Sequence, residues 1–313
     1  MKRTAMTLGL VLVLTAGGAI EQAALADLDT EIVKVGQDYA TSYAAPLIQA
    51  AGPNLNGNLF QTANVPWAGL TWGAGVKFMG TYLAAEDQNF RKVSTNVDLG
   101  EYDPALAGMT GTVVMGGPTM FGDTSARGYI AGYVDGIQVF RESTIGGVAN
   151  TRWVPMVAPE GYVGGVAGVR AIVRYMPSFN TDVGKAEYWG LGAQWNINGL
   201  FPALPVDVLI GYMGQKVKVG DYVDADMSSF HLGLSKGFTA LTVYGGFAKE
   251  SSSMDVAYVY EFDGTRTNVD FSVDGSQETR FTAGVTLDVL FKFNVEMSHG
   301  DMTTYAAGLM FGM

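Results

Sequence analysis

The chain has no cysteine, little charge and, beyond its first residues, no long apolar run. Without cysteine there is no disulfide scaffold, no thiolate metal site and no cysteine nucleophile. Charged residues make up 16% of the 313 residues, well below the ~25% of soluble domains. Acidic residues outnumber basic ones 30 to 19, a net charge of −11. That balance argues against a nucleic-acid partner, because phosphate binding needs basic patches. The two histidines, His231 and His299, stand far apart with no His-Glu-x-x-His motif, so neither a metal nor a cofactor is expected. No stretch of ~18 apolar residues follows the leader region, which excludes a helical membrane protein.

What remains is rich in glycine, 42 of 313 residues, about twice the usual ~7%. With 48% hydrophobic and 12% aromatic residues, the chain is not of the disordered class. Lys2 and Arg3, the apolar stretch from Leu8 through Leu14, and Ala24-Leu25-Ala26 predict a secretory signal peptide over residues 1–26. An exported chain with no spanning helix is either soluble or an outer-membrane β-barrel, and strand alternation decides between them.

From Leu70 to Leu83 one face reads Leu70, Trp72, Ala74, Val76, Phe78, Gly80, Tyr82, and the other Thr71, Gly73, Gly75, Lys77, Met79, Thr81. Trp189, Leu191, Ala193 and Trp195 alternate with Tyr188, Gly190, Gly192 and Gln194 in the same way. Similar stretches begin near Val206, Phe230, Met254, Phe281 and Phe291. The polar face carries Gly, Thr, Ser, Asn and Gln rather than the Lys and Glu of a soluble surface. Such segments match the ~9–11 residues a tilted strand needs to cross a bilayer. The fold predicted is an all-β, antiparallel transmembrane barrel of about 12–14 strands over residues 67–313. Tyr305, Leu309, Phe311 and Met313 share one face of the last strand and read as the assembly signal, with the aromatic two positions before the end. Asn198-Gly199 and Lys236-Gly237 read as tight turns and Asp221–Asp226 as a longer polar loop.

Residues 27–66 differ. Ile32, Val35, Tyr39, Tyr43 and Leu47 recur at helical spacing. Pro46 is expected to bend or end that helix, with a loop following from Gly52. The helix has two places open to it, inside the lumen as a plug or against the periplasmic mouth; the third option is a tail packing on itself.

By parity Lys77, Arg170, Arg174, Arg280, Asp288, Lys292 and Glu296 point inward. Charges inside a membrane barrel are costly unless paired or wet. They either form a salt-bridge network that fills a closed lumen, or line a solute path and contact the plug. Ser229-x-His231 lies on one strand face and reads as plain lumen polarity rather than as a catalytic pair, so no enzyme is expected. Asp221, Asp224 and Asp226 read as a solvated loop.

Gly117-Pro118-Thr119-Met120-Phe121-Gly122, Arg174-Tyr175-Met176-Pro177 and Trp189-Gly190-Leu191-Gly192, in this order behind an N-terminal helix, resemble a Bacteroidetes-type family of outer-membrane barrels of unknown function. That family is loosely similar in architecture to long-chain fatty-acid transporter barrels, which use an N-terminal plug and pass hydrophobic ligands; the present chain is shorter than most of those. The resemblance implies a passive, cofactor-free channel for small hydrophobic or amphipathic solutes, opened by plug displacement or between strands. The alternative is a non-conducting structural or adhesive barrel. The partners expected are outer-membrane lipid, the barrel-assembly machinery and a hydrophobic small molecule.

Overall fold

The computed structural model describes residues 22–181, 184–262 and 265–312, with side chains for 38–180, 185–257 and 270–312. The side chains of the expected signal peptide, those of Ile32 and Val35, and Met313 lie outside that description.

Alternation of small and apolar residues closes a wall. Its ten strands are β1 (Thr71–Tyr82), β6 (Trp153–Val166), β7 (Val169–Thr181), β8 (Gly184–Asn196), β9 (Asp207–Val219), β10 (Val223–Phe238), β11 (Leu241–Phe262), β13 (Thr279–Asp288), β14 (Lys292–His299) and β15 (Thr303–Gly312). Each is antiparallel to its neighbours, and β1 pairs with both β6 and β15 to complete the circle. The upper part of β11 leaves β13 and pairs instead with β12 (Thr265–Asp274). Ten is fewer than expected from chain length because residues 83–152 do not enter the wall. They hold a separate four-stranded sheet of β2 (Asn89–Asp98), β3 (Thr110–Pro118), β4 (Tyr129–Val134) and β5 (Ile137–Ser143).

The alternation sorts side chains as the sequence implied. Trp72, Phe78, Trp189, Tyr212, Phe230, Phe247 and Phe281 are exposed on the outside, whereas Lys77, Gln194, Gln215 and Asn294 are buried inside. A wall that is apolar outside and polar inside is stable only with lipid around it and a filled or wet interior. Two turn readings are corrected: Lys236-Gly237 lies within β10, which turns at 239–240, and Val223–Asp226 is strand, paired with β9. Asp224 and Asp226 there face Lys216 at 2.8 and 3.1 Å, as a cross-strand charge ladder.

The connections at the end where β1 begins are residues 167–168, 197–206, 239–240 and 289–291. At the opposite end one connection spans 83–152 and carries the four-stranded sheet as a cap. The helix α1 (Gln22–Leu55) continues through Pro46 and Pro53, so Pro46 does not end it. It lies at neither the near mouth nor apart from the barrel. Tyr39 packs edge-on to Phe90 of the cap, ring centres 4.8 Å apart, and Lys92 meets Asp38 at 2.8 Å. Its later residues descend into the capped end of the wall. There Ile48, Ala51 and Leu55 share one apolar core with Met79, Met156, Tyr188 and Met254.

Candidate functional site

Past Leu55 the chain has no regular structure, yet it remains inside the wall until Trp67, which touches the near-end connections. The Ala167 N–H donates to the Trp67 carbonyl at 3.0 Å, and Trp67 Nε1 donates to the Asn196 carbonyl at 3.2 Å. Irregular backbone within a barrel must find partners among side chains, because no ladder is offered to it. Eight carbonyls between Pro53 and Ala63 are bound by wall donors. Arg280 Nη2 donates to Pro53 O (2.6 Å), Arg174 Nη1 to Leu55 O (2.6 Å), and Arg174 Nη2 to Gly57 O (3.0 Å) and Asn58 O (2.8 Å). Gln194 Nε2 donates to Leu59 O (2.9 Å), Thr286 Oγ1 to Gln61 O (2.6 Å), Arg170 Nη2 to Thr62 O (3.1 Å), and Asn196 Nδ2 to Ala63 O (2.7 Å).

Asn58 is the most heavily held residue of this plug. It adopts the left-handed region at φ 53°, which asparagine tolerates better than most residues. Its N–H donates to Glu296 Oε1 at 2.8 Å, and its Oδ1 accepts from Lys77 Nζ at 3.1 Å and Asn294 Nδ2 at 2.8 Å. Just beyond, Phe60 stacks on His231 (5.8 Å between centres) and meets Tyr244 edge-on (5.4 Å). Gly233 and Gly246 leave it room: a Cβ on either would lie 2.8 Å from the Phe60 ring.

The arginines are themselves paired. Arg174 Nε donates to Glu160 Oε2 at 2.8 Å, with Lys77 Nζ 3.8 Å from Glu160 Oε1. Arg280 pairs with Glu250 at 2.6 Å. Thus Lys77, Arg170, Arg174, Arg280 and Glu296 all meet the plug or its immediate ligands. Asp288 and Lys292 do not: they lie 3.7 Å apart at the near mouth, bordering a cavity of about 430 Å3 below the plug. Sequence reasoning missed the two acids that matter, Glu160 and Glu250. Glu160 shares its inward parity with Val154, Met156 and Ala158, which was the available signal. Tyr305, Leu309 and Phe311 face outward on β15. His231 is buried and bonded to Gln194 at 2.9 Å; among the described residues no cluster suited to a metal ion is found.

The wall is not paired all the way up. Between β6 and β7 the ladder runs from Val166/Val169 to Glu160/Arg174 and stops. Yet β6 stays paired to β1 up to Trp153, and β7 to β8 up to Thr181. Residues 153–159 and 175–181 therefore flank a seam roughly 20 Å long at ~3.3 Å per residue. Pro155, Pro159 and Pro177 lie along it. Proline has no N–H to donate and is confined to strand edges, so the ladder ends where these residues begin.

Beside the motif order, the inward charges and this plugged barrel stands a family model that matches the chain over residues 1–313. The chain belongs to a family of unknown function, DUF6588. No curated protein matches this DUF6588 chain. Among solved structures it is similar to OmpT with loop L8 deleted, an outer membrane protein of Vibrio cholerae, at 11% identity over 79% of this chain and 100% of that one, TM-score 0.25. It is also similar to OmpF of Salmonella typhi in complex with daunomycin, at 11% identity over 79% and 98% of the two chains, TM-score 0.19. A triple mutant of the Rhodopseudomonas blastica porin shares 11% identity over 78% and 100%, TM-score 0.15. The barrel of this DUF6588 member rests on its own strand pairing rather than on those shallow likenesses.

Proposed function

We propose that the protein is an outer-membrane barrel, exported by its signal peptide, that passes a small hydrophobic or amphipathic solute and is closed at rest by residues 53–66. The near end faces the periplasm, and the capped end, which carries the long connection 83–152, faces outward, as long loops do in such barrels. The seam between β6 and β7 carries this reading. There only side-chain packing, with no backbone ladder, stands between the apolar upper lumen around Met156, Ala158 and Tyr188 and the lipid beside Val157 and Tyr175, so parting of the two strands would open that lumen sideways. A pore for ions would need a wet path, whereas here water meets the plug from below and apolar core from above. The resemblance read from the sequence motifs to a family loosely similar to long-chain fatty-acid transporter barrels implies the same solute class.

A second reading, a non-conducting structural barrel, is favoured by the eight bound plug carbonyls. The two are separated by uptake of a pyrene-labelled dodecyl amphiphile into albumin-loaded vesicles containing the protein. Transport requires uptake above that of protein-free vesicles, and its loss when cysteines introduced as Val157→Cys and Pro177→Cys are joined by a short bis-maleimide. Uptake equal to lipid alone, with silent planar bilayers, selects the structural barrel. The native chain has no cysteine, so the labelling is confined to those two sites.

A further inference from the structure

Glu160 and Arg174 are the last register pair of β6 and β7, at the fork where the two strands part. The same Arg174 guanidinium that donates to Glu160 also donates to Leu55 O, Gly57 O and Asn58 O. One fully buried side chain thus joins the fork of the seam to the end of the helix and the start of the plug. Both members of the pair are buried, so neither partner can be replaced by water at rest, and release of one is felt by the other.

We infer that Arg174 is a latch through which the plug and the seam move together: the plug leaves the guanidinium only as the fork between β6 and β7 shifts. Arg170 provides the contrast. It holds the plug at Thr62 O and binds Gln194, and its register partner on β6 is Gly164, well inside the zipped part of the ladder. Lys77 approaches Glu160 from β1 and leaves β7 untouched. Among the described plug-binding cations, Arg174 is the one that stands on one strand of the fork and pairs with the other. This assignment rests on the seam being the route of passage, but coupling and passage are measured separately.

The test uses the full-length protein in lipid vesicles with two reporters. One is the labelling rate of Leu59→Cys by a water-soluble maleimide. The other, in a separate chain, is the distance between nitroxides at Val157→Cys and Pro177→Cys, from pulsed electron resonance. Arg174→Gln is expected to raise labelling at least tenfold and to shift or broaden the 157–177 distance. Arg170→Gln is expected to raise labelling and leave that distance as in the native chain. Arg174→Lys keeps a charge for Glu160 but cannot span three carbonyls; it is expected to move both reporters less far, and it replaces Arg174→Gln if that variant does not fold. A plug freed with the seam unmoved, or both reporters unmoved in a folded Arg174 variant, overturns the latch. Coupled reporters without amphiphile uptake in the native protein would instead sink the transport reading and leave the latch standing.

Discussion

Arg280 and Glu250 meet edge to edge inside the barrel, Nε to Oε1 at 2.6 Å and Nη2 to Oε2 at 3.0 Å, while Arg280 also donates to Ser298 Oγ and Pro53 O. Gln277 adds a further donor to the carboxylate. The pair is wholly buried, so removing one side leaves a charge with no water to turn to. Glu250→Ala should cost ~3–5 kcal/mol, and Glu250→Gln less, since an acceptor oxygen remains. The temperature at which the compact gel band gives way to the unfolded one, with urea unfolding in lipid, checks the order native, Gln, Ala.

The recess for Phe60 gives a second expectation. A methyl at Gly233 would meet the ring at 2.8 Å. Overfilling a packed site of this kind costs ~1–3 kcal/mol. Gly233→Ala should destabilise the protein, and Phe60→Leu introduced alongside it should recover part of the loss. A double-mutant cycle on unfolding free energy measures the coupling; simple additivity would mean that ring and glycine do not compete for space.

The wall was legible because its code is local. Trp72 and Phe78 alternate with Gly73 and Lys77 within a single strand, and period two survives any arrangement of neighbours. The inward parity of Arg170 and Arg174 followed for the same reason. A plug was one of the places the sequence left open to residues 27–66, but its bonding was not legible, because Asn58 finds Lys77, Arg174, Glu296 and Asn294 only across the closed circle, at separations in sequence that no periodicity reports. From the sequence, Gly52 to Asn58 looks like any polar connector. Pro46 does not end the helix because proline's cost there, a lost bond and a clash, is offset by packing of Tyr43, Leu47 and Ile48 against the cap and wall. The seam was marked by Pro155, Pro159 and Pro177, whose meaning appears only once β6 and β7 are known to be neighbours. Residues 83–152 make up the missing strands: their sheet folds on the helix rather than joining the circle.

Beneath the cap, Tyr43 Oη donates to Gly146 O at 3.0 Å. Burial, and secondarily the nearby Tyr39, holds its phenol well above the ordinary tyrosine value. A group whose folded pKa lies above its unfolded one supports the fold fully below the unfolded value, ~10, and ceases to do so as pH rises through the folded value. Docking of the helix should therefore hold at neutral pH and weaken progressively above pH ~10. Limited proteolysis of the helix between neutral and strongly alkaline pH checks this. Tyr43→Phe should remove that portion of the alkaline sensitivity at a small constant cost, about one hydrogen bond or ~1 kcal/mol.

Because β1 begins only after the polypeptide has traversed the barrel from capped end to near end, the β1–β15 junction cannot be sealed around an empty ring and filled later without dragging a capped helix back through it. Wrapping the strands about a rod already laid along the axis, with suturing of the first strand to the last as the closing act, avoids that passage. The arginines that face inward would then serve as the template on which the circle is sized, and a chain lacking residues 53–66 should stall as an unsealed sheet rather than mature into an open pipe.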